Sequence, residues 1–184
     1  MKRRRALTRW DVLILALLAV IVGVMVYPVF VRERDGKPNV CLSNVKNIAL
    51  AIQMYLADND DRFFAARDWC GVLDEYVKNR DVFRCPQAQS TSGRDYAFNA
   101  ALDQQDFAKL RNPKETVVIF ESDLGRSASG GHKQLPAVPR HLGGDNYGFA
   151  DGHASWAKRK AWGEDKRGNP IWLKEPEQPL WWQP

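Results

Sequence analysis

The residues best suited to chemistry crowd into one stretch, HLGGDNYGFADGHASW, from His141 to Trp156. It holds two of the chain's three histidines, two aspartates and four glycines. Imidazole and carboxylate together suit zinc or another transition metal, so His141, Asp145, Asp151 and His153 form one candidate ligand set. Catalysis has less to work with, because no nucleophile–base pair of matching spacing accompanies them. A structural use of the same residues competes. Asp151–Gly152 is a strong signal for a two-residue type I′ turn. Such a turn pairs Ala150 with His153, Phe149 with Ala154, Gly148 with Ser155 and Tyr147 with Trp156. Tyr147, Phe149, Ala154 and Trp156 then share one face, and Gly148, Ala150, His153 and Ser155 the other, as a half-buried hairpin requires. Asp151 falls at the turn tip and no spacing fixes His141 near it, so the hairpin is the preferred reading. No metal, cofactor or enzymatic activity is expected.

Two further groups of residues bear on chemistry. Cys70 and Cys85 flank a short helical pattern and could clip it by a disulfide, stabilising by about 3 kcal/mol on the loop-entropy view. Cys41 would be left over; a Cys41–Cys85 pairing stays open, since three cysteines allow three single bridges. No CxxC occurs, which leaves zinc little support from the cysteines. The acidic run Asp58 to Asp61 fails the EF-hand pattern, because Arg62 and Phe63 stand where the fifth and sixth loop positions fall. A looser calcium site there is an open alternative to a solvated acidic run.

These residues must be carried by something, and the N-terminal part of the chain says what. Val12 to Val31, VLILALLAVIVGVMVYPVFV, contains no charge. Twenty helical residues rise about 30 Å, the thickness of a bilayer's hydrocarbon core. Five basic residues precede the run, and Arg32 and Arg34 in a mixed-charge segment follow it. The positive-inside rule then leaves the N-terminus in the cytoplasm and the domain beyond residue 40 outside. The expected setting is a single-pass membrane protein with its C-terminal domain outside. Most of the net charge of +5 sits in the first eleven residues, so no broad basic face is required and no nucleic acid is expected as partner.

The outer part divides by pattern. Gly36 and Pro38 in RERDGKPNV mark a linker over 32–40 with an expected break. Leu42, Val45, Ile48, Ala49, Ile52, Tyr55 and Leu56 recur at helical spacing, one apolar stripe that would pack on a sheet. Trp69, Val72, Leu73, Tyr76 and Val77 repeat that pattern in a shorter helix. TVVIF, Thr116 to Phe120, is strongly β-prone, and residues 121–140, rich in Gly, Ser and Pro, read as a long loop. The tail over 161–184, with four prolines near Trp172, Trp181 and Trp182, should be extended and docked rather than exposed. The organisation expected is a basic leader over 1–11, a membrane helix over 12–31, the linker, an outer domain over 41–160 and the tail. The fold class is α+β, with a second amphipathic helix on a small antiparallel β-sheet.

Three separated pieces resemble one family. The chain is similar to bacterial type IV pilin-like and pseudopilin-like proteins. More narrowly, it resembles the group with a prepilin-type N-terminus and a C-terminal motif of histidine, nine residues and Asp-Gly. His141, LGGDNYGFA with Asn146 inside it, Asp151 and Gly152 fit that motif; CLSNVKNIALAIQMYLADNDDRF and DVFRCP are similar to other pieces of the family. The resemblance implies a leader ending at Ala6, a first mature residue Leu7, an acidic Asp11 that would pair with a neighbouring subunit's amine, and Pro28 at a common pilin position. Ala6 stands for the usual glycine, Asp11 for the usual glutamate, and Arg9 and Trp10 interrupt the apolar stretch. The function implied is a membrane-anchored structural subunit of a type II secretion or type IV pilus-related assembly. Its partners would be other pilin-like subunits through the N-terminal helix, the membrane and a prepilin peptidase. The setting that this bacterial family implies is an inner membrane, with the C-terminal domain periplasmic or extracellular. The alternative is an uncleaved single-pass anchor presenting a domain that binds a glycan or protein.

Overall fold

A computed structural model describes residues 9–35, 37–88, 93–178 and 180–183, with backbone only for 26–35, 37–39 and 162. Ala6 and Leu7 lie outside the described residues. The chain divides into two compact units between Lys37 and Pro38.

The first unit is helix α1, Arg9–Asp35, 27 residues long. Asp11 lies in its first turn, where a carboxylate complements the positive end of the helix dipole. Pro28 lies within the same helix. From Val12 to Met25 every described side chain is exposed, all round the helix.

The second unit opens with α2, Lys37–Asp58. Pro38 lies where the two units divide, within the stretch 32–40 in which a break is expected. It stands in the first turn of α2, where its missing N–H would have had no partner in any case. The expected apolar stripe forms: Val45, Ile48, Ala49, Ile52 and Leu56 are buried. By length and composition Val40–Asp58 would also suffice to cross a membrane, but this face packs in the core with Tyr96, Phe98, Val118 and Ile119. The acidic run ends the helix in a turn with Asp60 and Asp61 at positive φ; its aspartates are exposed and belong to no convergent group of ligands among the described residues. Helix α3, Trp69–Leu73, turns Trp69, Cys70 and Leu73 inward.

The sheet is six-stranded in the order β3-β1-β2-β4-β5-β6, built from β1 Tyr96–Asn99, β2 Val117–Glu121, β3 Ser129–Gly130, β4 Gly144–Phe149, β5 Ala154–Glu164 and β6 Pro170–Pro176. It is mixed rather than purely antiparallel, because the two-residue β3, inside the expected long loop, runs parallel to β1. β5 crosses the boundary at residue 160, and β6 turns part of the tail into an edge strand.

The hairpin between β4 and β5 differs from the expected one by a residue. Tyr147 stands opposite Ser155 and Gly148 opposite Ala154, and the Phe149 N–H donates to the His153 carbonyl. The loop therefore has three residues, with only Gly152 at positive φ, +87°; a type I′ turn would need Asp151 there too. The one-residue slip moves Ala154 and Trp156 to the face opposite Tyr147 and Phe149. Only the β5 arm is half-buried, with Ala157 and Arg159 buried between the exposed Trp156, Lys158 and Lys160. Every residue of β4 is buried, because the sheet is covered on both sides. Helix α2 lies on one. On the other, Ala97, Val117, Phe120, Tyr147, Phe149 and Ala157 form a second core against Leu180 and Trp182 of the tail. At Gly148 an added Cβ would stand 2.5 Å from Ile119 Cγ2 on the neighbouring strand β2 and 3.1 Å from Ala49 Cβ of α2.

Candidate functional site

Four side chains meet between the start of α2 and the end of the sheet. Cys41 comes from the second turn of α2, Cys85 from the loop after a short 3-10 helix, Glu121 from the last position of β2, and His141 from the loop entering β4. Cys41 Sγ lies 2.6 Å from Cys85 Sγ, Cys85 Sγ lies 3.6 Å from His141 Nε2, and His141 Nε2 lies 2.6 Å from Glu121 Oε1. Their ligand-type atoms all fall within 4.8 Å of one another.

Local hydrogen bonding sets each group in place. The Cys85 N–H donates to Asp95 Oδ2, and the Trp156 indole N–H donates to the His141 carbonyl at 2.7 Å. Asn146 donates its backbone N–H to Glu121 Oε2 and its side-chain amide to Glu121 Oε1. Arg140 holds the neighbouring chain ends, donating to the carbonyls of Asp95 and Ser122 and to the Asp123 carboxylate.

The electrostatics follow from this crowding. Donation of the Cys41 thiol proton to Cys85 holds Cys41 far above the ordinary thiol range, with burial adding to it. The same hydrogen bond lowers Cys85 to about 6, against burial and with help from His141. Burial disfavours a charged His141, yet its hydrogen bonds to Cys85 and Glu121 outweigh that and raise it to about 9. Cys41 and Glu121 are 0% exposed, His141 2% and Cys85 3%. An activated thiolate beside an imidazole has the chemistry of a nucleophile, but at this burial it has no access to a substrate. The arrangement suits ligation or cross-linking.

The candidates from the sequence are dispersed. His141 does not join Asp145, Asp151 and His153: Asp145 Oδ2 lies 2.6 Å from Arg159 Nε in a fully buried ion pair, and Asp151 faces His153 at the hairpin tip. Burial pushes the Asp145 carboxyl up, and Arg159 opposes that. Asp151 and Gly152 serve the turn, whereas Asn146 supports Glu121. Cys85 meets Cys41 and not Cys70, because α3 carries Cys70 to a separate buried place beside Ser127 and Arg94, where burial pushes its thiol up. All three cysteines are free thiols. Glu121 was not a sequence candidate at all. Its one signal is a carboxylate ending the apolar run TVVIF, where a charge is costly unless something meets it.

No family model, curated protein or solved structure matches the chain.

Proposed function

We propose that the chain is a membrane-anchored, pilin-like structural subunit of a type II secretion or type IV pilus-related assembly, with its mixed helix-and-sheet unit as the outward head. The observation that carries this reading is α1. Its uncharged run is apolar all round, and its described side chains from Val12 to Met25 are exposed. A helix of that kind needs a bilayer or other helices around it. The head supports the reading by having two cores of its own. Asp11, at the start of the span, is suited to neutralise the new amine of a neighbouring subunit, two charges that are costly in lipid when unpaired. Function on this reading is assembly rather than catalysis.

The test is the N-terminus of the protein extracted from its native membrane, read by mass spectrometry. A chain beginning at Leu7, with a methylated amine, is the expected result. A chain that still begins at Met1 retains the charged leader. It would overturn pilin-type assembly in favour of an uncleaved anchor that presents a binding domain.

A further inference from the structure

We propose that Cys41, Cys85, Glu121 and His141 form a structural site for one zinc-class divalent ion, which staples helix α2 to the loop after residue 83 and to the ends of β2 and β4. This inference goes beyond the assembly reading and does not depend on it.

The donor set is the first argument. Two sulfurs, one imidazole nitrogen and one carboxylate oxygen are the atoms that zinc takes, and four protein ligands without an open position are the mark of a structural site. Each comes from a different segment, with 44 residues between Cys41 and Cys85 and 56 between Cys85 and His141. Local sequence therefore does not explain the convergence.

Charge is the second. Glu121 is fully buried, and its hydrogen-bond partners are Asn146 and His141, with the Cys85 thiol near by. None of these is a Lys or Arg. Two thiols and a carboxylate that converge on one buried point form an anionic ligand set, which a divalent cation at that point would neutralise. Ion binding would expel the protons now held between Cys41 and Cys85 and between His141 and Glu121. Arg140, whose charge is felt by both Glu121 and Cys85, offsets the excess negative charge of two thiolates and a carboxylate.

Geometry and support are the third. Two thiolates on a tetrahedral zinc stand about 3.8 Å apart, given a Zn–S distance of about 2.3 Å, so the sulfurs at 2.6 Å must part by about 1 Å. Cys85 Sγ already stands at 3.6 Å from His141 Nε2 and 3.9 Å from Glu121 Oε1, whereas His141 Nε2 and Glu121 Oε1, at 2.6 Å, must part by about 0.7 Å. Asn146 fixes the carboxylate from outside, the supporting shell that metal ligands require. A Cys41–Cys85 disulfide is the rival use of the same sulfurs. It would leave Glu121 and His141 paired only with each other.

The experiment uses the full chain purified in detergent under reducing conditions, incubated with equimolar zinc and passed over a desalting column. One zinc per chain is expected by elemental analysis. Replacement by cobalt should give the intense visible bands of a tetrahedral ion and a thiolate charge-transfer band. Cys85→Ser should abolish both, and Glu121→Gln should weaken zinc binding by about 10-fold or more. Cys70→Ser, outside the cluster, should bind like the parent. Should Cys85→Ser fail to fold, His141→Cys keeps four ligands and should retain zinc with a stronger charge-transfer band. Absence of zinc from the parent, zinc retained by a Cys41→Ser, Cys85→Ser double variant, or a Cys41–Cys85 linked peptide in the non-reduced native protein would each overturn the proposal.

Discussion

His141 and Glu121, twenty residues apart, share a proton across 2.6 Å inside the head, with Asn146 holding the carboxylate from its other side. The contact joins the entrance of β4 to the end of β2, next to the point where α2 begins. That part of the head is thus tied together by polar groups, while the rest is tied by apolar packing.

Metal removal gives the most direct stability prediction. Free zinc at a hundredfold its dissociation constant should stabilise the head by about 2.7 kcal/mol, seen as a fall in melting temperature when a strong chelator is added. Cys85→Ser should show no such fall; an equal response in both proteins would count against the site.

The buried pair Arg159–Asp145 makes a second prediction. Arg159 also donates to the Pro136 carbonyl, and both side chains of the pair are fully buried. Arg159→Met leaves an uncompensated carboxylate and should cost about 3–5 kcal/mol in urea unfolding. Removing the carboxylate as well, with Asp145→Leu, should recover much of the loss. A double variant no better than the single one would mean that the pair is not coupled.

At Gly148 the close approach of Ile119 on β2, with Val45 and Ala49 of α2 next to it, decides the outcome. Gly148→Ala places a methyl against Ile119, Val45 and Ala49, atoms held by a packed core, and should destabilise by about 1–3 kcal/mol. Since strand residues other than glycine have the higher β propensity, a stabilised Gly148→Ala variant would show that Ile119 and α2 leave more room over Gly148.

The tail is expected to be part of the fold. Trp182 meets Phe120 edge-on at 5.0 Å and Tyr147 at 6.0 Å, and Asn99 donates to its carbonyl. Trp182→Ala should cost about 2 kcal/mol, since the ring is only part-buried, and should speed proteolysis of residues beyond β6. Unchanged proteolysis would place the docking elsewhere.

Acid should loosen the β5–β6 turn only below the ordinary carboxylate range. Asp165 accepts from the N–H groups of Arg167 and Asn169 and from the Asn169 amide, which lowers its pKa from the ordinary 3.8. A depressed carboxyl contributes stability above its unfolded value and loses it as pH falls through the folded one. Amide shifts at residues 165–169 should therefore move below about pH 3.8 in the parent protein. In Asp165→Asn that titration should be missing; the same acid shift in both would assign it to another group.

How much of the fold and the site was legible depends on the range of the forces. The stripe of α2, the β character of Val117–Phe120, the uncharged run of α1 and the turn at Asp151–Gly152 are each written within a few neighbouring residues, and the amino-acid sequence determined them. Three things only the tertiary structure decided. The register of β4 against β5 differs by one residue from the turn's own preference, because β4 is packed on both faces and Gly148 must lie under α2. The second core exists because the tail returns to the sheet and places Trp182 over Phe120 and Tyr147. Cys41, Cys85, Glu121 and His141 meet because strands β2 and β4 are neighbours in the sheet and α2 starts above their ends. No local pattern contains that order, and a carboxylate ending an apolar strand shows its use only when its partners arrive from elsewhere in the chain.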